Sequence, residues 1–264
     1  MGYSVVLAEV ELGNDLVKPV ADAVARVTGA LPIDALGRVK RARGVLADNL
    51  DRPAASGLVD DVLKLGVKAG MAQRPETGRR WPVASGGCSK RGLHADPGRQ
   101  GMRVYPWPSV RVMSLVRYRE QQVVTRAVGG AHFGAIGFAG VGALQINDMA
   151  RARASMLQST ETVDGAETYL LELFLRDPLV TLRIDARQFH YGYLGDKMGD
   201  RFEINFHMLV SHLVQGAESA VRAPTVDRYL GGDLLSGSTI TDPKEFDVYN
   251  RWLLLAADAF ADSR

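Results

Sequence analysis

Residues 3–10, Tyr3-Ser4-Val5-Val6-Leu7-Ala8-Glu9-Val10, read as a β-strand, and the segments after it set the fold of the first quarter of the chain. Asn14 is placed to cap a helix in which Leu16, Val17, Val20, Ala21, Val24 and Val27 recur at helical spacing, and Gly29 ends it. Pro32 suits the first turn of a second, short helix carrying Ile33, Leu36 and Val39. Gly44-Val45-Leu46-Ala47 reads as a strand. Asp51 caps a third helix with Leu58, Val62 and Leu65 inward and Gly66 just past its end, and residues 67–72 close as a strand. The order over residues 1–73 is β-α-α-β-α-β: a small α+β domain with a three-stranded sheet covered by helices.

That order and these residues resemble the C-terminal domain of the bacterial ribosomal stalk protein. The likeness spans residues 3–72. It rests on Tyr3-Ser4-Val5-Val6-Leu7, residues 20–27 with Thr28-Gly29, Asp34-Ala35, Val45-Leu46, residues 54–65 and Gly66-Val67-Lys68-Ala69. It implies the fold and, loosely, a docking role. In that family, lysines of a Gly-Leu-Lys-Glu-Ala-Lys stretch help to recruit translation factors. The matching positions here are Ile33 and Leu36, so factor binding does not carry over. Residues 170–213 resemble a segment of uncharacterised bacterial proteins with a similar first domain, a likeness that brings no function with it.

Residues 74–103 hold few apolar side chains and many Gly, Pro, Arg and Lys, the composition of a flexible basic linker. Residues 76–103 carry six basic and two acidic side chains, whereas residues 104–264 carry 16 and 19. A second α+β domain is expected over residues 104–264. Residues 110–118 and 121–128 are β-rich and could pair through a turn at Arg119-Glu120, and residues 144–157 could form a short helix. Residues 169–176 and 179–184 flank Asp177-Pro178, a hairpin turn. Phe189, Tyr191 and Tyr193 alternate as along a strand, and a helix from about Arg201 carries Phe202, Phe206, Leu209 and Leu213. Asp242-Pro243-Lys244-Glu245 opens a last helix that buries Phe246, Tyr249, Leu253, Ala256 and Phe260. Strands first and helices after them predict a mainly antiparallel sheet with C-terminal helices.

The 264 residues carry 32 basic and 30 acidic side chains, a balance that argues against a dedicated nucleic-acid binder. A single cysteine excludes a disulfide framework and a Cys-based zinc site. The start of the sequence lacks a basic and apolar leader, so a cytoplasmic location is expected. Residues 128–146 are uncharged, but six of the 19 are glycine, and no membrane span is expected there. There is no Gly-Lys-Ser/Thr phosphate loop and no Gly-x-Ser-x-Gly elbow. His207 and His212 lie five residues apart, about 140° around a helix, and cannot share a metal. Cations beside Cys88 would favour its thiolate. No catalytic, metal or cofactor site is expected.

What remains is basic. Arg38, Lys40, Arg41 and Arg43 cluster after the second helix, and Arg79, Arg80, Lys90 and Arg91 punctuate residues 74–103, with Trp81 and Trp107 nearby. These eight residues are the expected contact for an acidic partner, with weak, salt-sensitive nucleic-acid contact as a lesser use. The reading is a non-enzymatic protein-docking or regulatory module. The alternative is a small-ligand binder or enzyme with its site in the second domain, around Asp185 and the row Phe189, Tyr191 and Tyr193.

Overall fold

The computed structural model describes residues 2–41, 43–97, 101–127, 158–233 and 239–261. The chain divides into two units, Met1–Tyr118 with Thr168–Arg264, and Arg119–Glu167.

In the first unit, β1 (Tyr3–Leu7), α1 (Asn14–Thr28), α2 (Pro32–Arg41), β2 (Val45–Leu50), α3 (Arg52–Lys64) and β3 (Ala69–Gln73) follow the expected β-α-α-β-α-β order. β1 is central and antiparallel to both neighbours. Asp51 caps α3 by accepting the Ala54 N–H at 2.8 Å. Asn14 is the first residue of α1 and Gly13 the cap position, so Asn14 does not cap it. Val5, Leu7 and Ala47 pack with Val20, Val24, Leu58 and Val62 of the helices. Val6 and Ala72 belong to a different core. β1 is thus covered on both faces, which is why Val5-Val6-Leu7 is a continuous apolar run and not an alternation.

The described residues of the expected linker, 74–97 and 101–103, are largely strands. The stretch 79–106 holds β4 (Arg79–Pro82), β5 (Ser85–Ser89), β6 (Gly92–Asp96) and β7 (Arg103–Pro106). β5, β6 and β7 make an antiparallel sheet, and β4 pairs in parallel with β10 (Val180–Asp185). Few apolar residues suffice because each is well placed: Val83, Leu93, Ala95 and Tyr105 are buried, while Arg79, Lys90 and Arg91 stay in solvent.

The large sheet runs β11-β8-β9-β10-β4, with β12 also on β8; its other strands are β8 (Val110–Ala127), β9 (Gln158–Leu175), β11 (Val221–Arg222) and β12 (Thr239–Ile240). β9 and β10 form the expected antiparallel hairpin around Asp177-Pro178. The short strands β4, β11 and β12 join in parallel, so this sheet is mixed. β8 continues unbroken through Arg119 and Glu120, where the sequence suggests a turn. β8 and β9 both carry on into the second unit, and within that unit Arg119 and Glu167 form an ion pair. The expected helix at residues 144–157 and the glycine-rich segment 128–146 lie outside the described residues.

Three helices complete the first unit: α4 (Phe202–Gly216), α5 (Pro224–Leu230) and α6 (Pro243–Ala259). Asp242 caps α6 by accepting the Lys244 N–H at 2.9 Å, as its sequence predicts. Phe246 and all of residues 252–257 are buried, which requires neighbours on more than one side. Trp252 Nε1 donates to the Leu7 carbonyl at 2.9 Å on one side, and Asn250 Nδ2 donates to Glu172 Oε2 of β9 at 2.7 Å on another. α6 therefore lies between the N-terminal sheet and the large sheet, and residues 1–73 share one compact unit with residues 168–264. The other face of β9 carries Tyr169, stacked on Phe206 of α4 at 5.8 Å. Among the described residues no helix is long and apolar enough to cross a membrane.

Candidate functional site: a cleft lined by bases

The eight basic residues singled out in the sequence have four fates. Arg43 pairs with Glu245 at 2.9 Å. Arg80 is committed to a buried network: its Nε lies 2.7 Å from Glu172 Oε1 and its Nη2 lies 2.6 Å from Asp247 Oδ1. Arg79 lies over the Trp81 ring at 4.4 Å. Arg38, Lys40 and Arg41, toward the end of α2, and Lys90 and Arg91, at the β5–β6 turn, are exposed and form no ion pair among the described residues. The structure keeps these as two separate groups on different elements.

Lys90 lines a cleft of about 740 Å³ that is open to solvent. Its walls are the end of β5 (Cys88 and Ser89), Trp107, a 3-10 turn at Gly192–Lys197 and the C-terminal end of α4. Lys90, Lys197 and His212 line it, and among the described residues no carboxylate does. In a chain with nearly equal acids and bases, a wall of one sign focuses field on the space it encloses.

Two glycines set the aromatic walls. A Cβ at Gly216 would stand 2.4 Å from Trp107 Cε2, and one at Gly87 would stand 2.5 Å from Tyr193 Cγ. Only a residue without a side chain lets each ring lie directly on the backbone. The polar edges of both rings are already bonded. Trp107 Nε1 donates to the Ser89 carbonyl at 3.0 Å, and the Tyr193 hydroxyl lies 3.2 Å from His212 Nδ1. Burial pushes the Tyr193 phenol well up, so its O–H keeps its proton beside Nδ1.

The row Phe189, Tyr191 and Tyr193 is not a strand. Phe189 and Tyr191 are core residues in an edge-to-face pair at 5.1 Å, and Tyr193, in the 3-10 turn, reaches the cleft. Asp185 is occupied by local structure, accepting from Thr168 Oγ1 at 2.7 Å and from the Arg187 N–H at 2.9 Å. Cys88 corrects the expectation of an activated thiolate. It is half-buried, and desolvation pushes its thiol up to about 12. Ser89 Oγ lies 2.7 Å from His94 Nε2 and accepts the Arg91 N–H at 3.2 Å, the pattern of a hydroxyl that stabilises its own turn. Among the described residues no group of three His, Cys, Asp or Glu side chains is placed to hold a metal ion.

Sequence reasoning weighed His212 only as a metal ligand and passed over Lys197 and Gly216, because only the fold joins turn, strand and helix end. It also passed over Glu172. This residue is fully buried on β9, and its Oε1 receives Arg183 Nε at 2.6 Å as well as Arg80. Burial raises its carboxyl above the usual range, although the two guanidinium groups pull it down. The network ties β4, β9, β10 and α6 together, a structural role. No family model matches this chain, and neither does any curated protein or solved structure.

Proposed function

We propose that this chain is a non-enzymatic docking module that holds an acidic protein partner in the cytoplasm. The observation that carries the reading is the set of exposed bases with no ion-pair partner among the described residues, Arg38, Lys40 and Arg41 on α2 and Lys90 and Arg91 on the β5–β6 turn. Fixed on one compact unit, they offer an acidic surface positive charge that is not taken up in ion pairs among the described residues. The stalk-like order of residues 3–72 supports the same role, as does the occupation of Asp185 by local hydrogen bonds. Contacts of this kind weaken with salt, since exposed charges are screened over about 8–10 Å at moderate ionic strength.

The test is capture from the native lysate by the tagged full chain and by a charge-reversed variant, Arg38→Glu/Lys40→Glu/Arg41→Glu/Lys90→Glu/Arg91→Glu. Acidic proteins retained by the first and released by the second support docking. Retention of nucleic acid in their place, or identical capture by both chains, refutes it. The aromatic walls of the cleft support a second reading, an anionic ring compound as its occupant.

A further inference from the structure

We infer that the cleft between the β5–β6 turn and the end of α4 is where the partner inserts an acidic segment carrying an aromatic side chain. The inference rests on the docking reading and deepens it by naming the site and the chemistry of what enters.

The charge sets the first requirement. Lys90, Lys197 and His212 line the cleft, none of them forms an ion pair among the described residues, and no described carboxylate shares the lining. An entering carboxylate meets the two lysine ammonium groups and no carboxylate among the described residues. The rings set the second. The indole N–H and the phenol are already bonded inside the protein, so Trp107 and Tyr193 offer apolar faces and no directional hydrogen bond. A flat or apolar side chain suits such walls, because aromatic pairs gain more than the area they bury. Gly87 and Gly216 fix the rings where they lie, so the surface exists before the partner arrives and little ordering is needed on binding.

The form of the cleft separates a peptide from other anions. Among the described residues no arginine lines it, so it lacks the planar fork that grips phosphate in two parallel bonds and offers lysine point charges alone. Lysine ammonium groups are point charges that accept carboxylates in any orientation. The cleft is open to solvent, whereas a small ligand held on its own needs most of its surface enclosed. A segment anchored elsewhere to a larger partner does not.

The experiment uses the full chain and three fluorescein-labelled probes in anisotropy titrations at low salt. The first is the octapeptide Glu-Asp-Phe-Glu-Asp-Phe-Glu-Asp, the second has Ser in place of Phe, and the third is an eight-nucleotide single-stranded RNA. Lys90→Glu/Lys197→Glu alters the cleft, and Arg38→Glu/Lys40→Glu/Arg41→Glu alters only α2. Lys90→Gln/Lys197→Gln serves as the milder cleft variant, and circular dichroism confirms that each is folded. The expected result is that the first peptide binds, that the cleft reversal weakens it about tenfold or more, and that the α2 reversal changes it less than about threefold. Loss of the two Phe residues should weaken binding to the wild-type chain but matter little to the cleft variants. Binding that survives the cleft reversal and disappears with the α2 reversal overturns the cleft assignment and leaves the docking reading standing. Peptides that bind neither surface overturn both, and a cleft-dependent preference for RNA overturns the peptide assignment.

Discussion

Removing Arg183 should unmask the cost of the carboxylate it neutralises. Glu172 is 0% exposed and Arg183 is 22% exposed, with Nε of the guanidinium 2.6 Å from Oε1. Breaking a buried ion pair by deleting one partner costs about 3–5 kcal/mol, because the other charge is left without compensation. Glu172 still keeps the half-exposed Arg80 at 2.7 Å and the Asn250 amide at 2.7 Å, so Arg183→Met should fall at the lower end, about 3 kcal/mol at pH 7.5. The assay is urea unfolding, read as a shift of midpoint at constant slope. The pH dependence identifies the cause. The folded Glu172 carboxyl already lies above its unfolded value through burial, and losing a cation raises it further. A group raised in the folded state contributes most stability below its unfolded value and loses that contribution as pH climbs through the folded one. The deficit of Arg183→Met should therefore be smaller at pH 5 than at pH 7.5. Adding Glu172→Gln, which removes the orphaned charge, should restore at least half of it. A deficit that stays constant between pH 5 and 7.5, or that Glu172→Gln does not relieve, would refute the reasoning.

Three further outcomes can be measured. Trp252→Phe removes the donor to the Leu7 carbonyl and leaves that buried acceptor unpaired, so urea unfolding should show a loss of about 1–3 kcal/mol; a loss under about 0.5 kcal/mol would mean that α6 does not hold β1 through this bond. Cys88, with its thiol pushed up to about 12 by desolvation, should react with a disulfide reagent far more slowly at pH 8 in the native chain than in urea, and equal rates would contradict the burial. Gly216→Ala puts a Cβ 2.4 Å from the Trp107 ring, so it should displace the indole, change its near-ultraviolet dichroism and weaken whatever enters the cleft, and an unaltered spectrum would show that the ring is not seated there.

How much of this was legible depended on whether a signal was local. The caps at Asp51 and Asp242 and the turn at Asp177-Pro178 are written in adjacent residues, and each element they announce is present. The β-strands of residues 79–106 were not legible, because their burial rests on four apolar side chains scattered among glycines and arginines, and those side chains find their partners in distant segments. The two faces of α6 show the same limit. A single apolar stripe was read from Phe246, Tyr249, Leu253, Ala256 and Phe260, yet the run at residues 252–257 is buried throughout because sheets cover the helix from two sides. The cleft was the least legible feature. Of its bases only Lys90 stands in a conspicuous cluster, while Lys197 and His212 arrive from the 3-10 turn and from α4.

The central position of α6 bears on how the basic groups can work. If residues 1–73 were joined to the rest by a flexible linker, the α2 bases and the cleft would find each other only by chance, and two contacts would add little to one. In the folded chain, α6 bonds to β1 through Trp252 and to β9 through Asn250, and both bonds are buried. Separating the two sheets would expose Trp252 and residues 253–257 to water, and burial of each large apolar side chain among them is worth about 1.5–3 kcal/mol. The α2 group and the cleft are therefore held on one frame. A partner whose acidic segments match that fixed spacing gains from engaging both, because the second contact forms at a high effective concentration. One whose spacing differs is confined to a single weak, salt-sensitive site. A partner that engaged both would be selected by the distance between the two groups, a distance that α6 helps to fix through its bonds to β1 and β9.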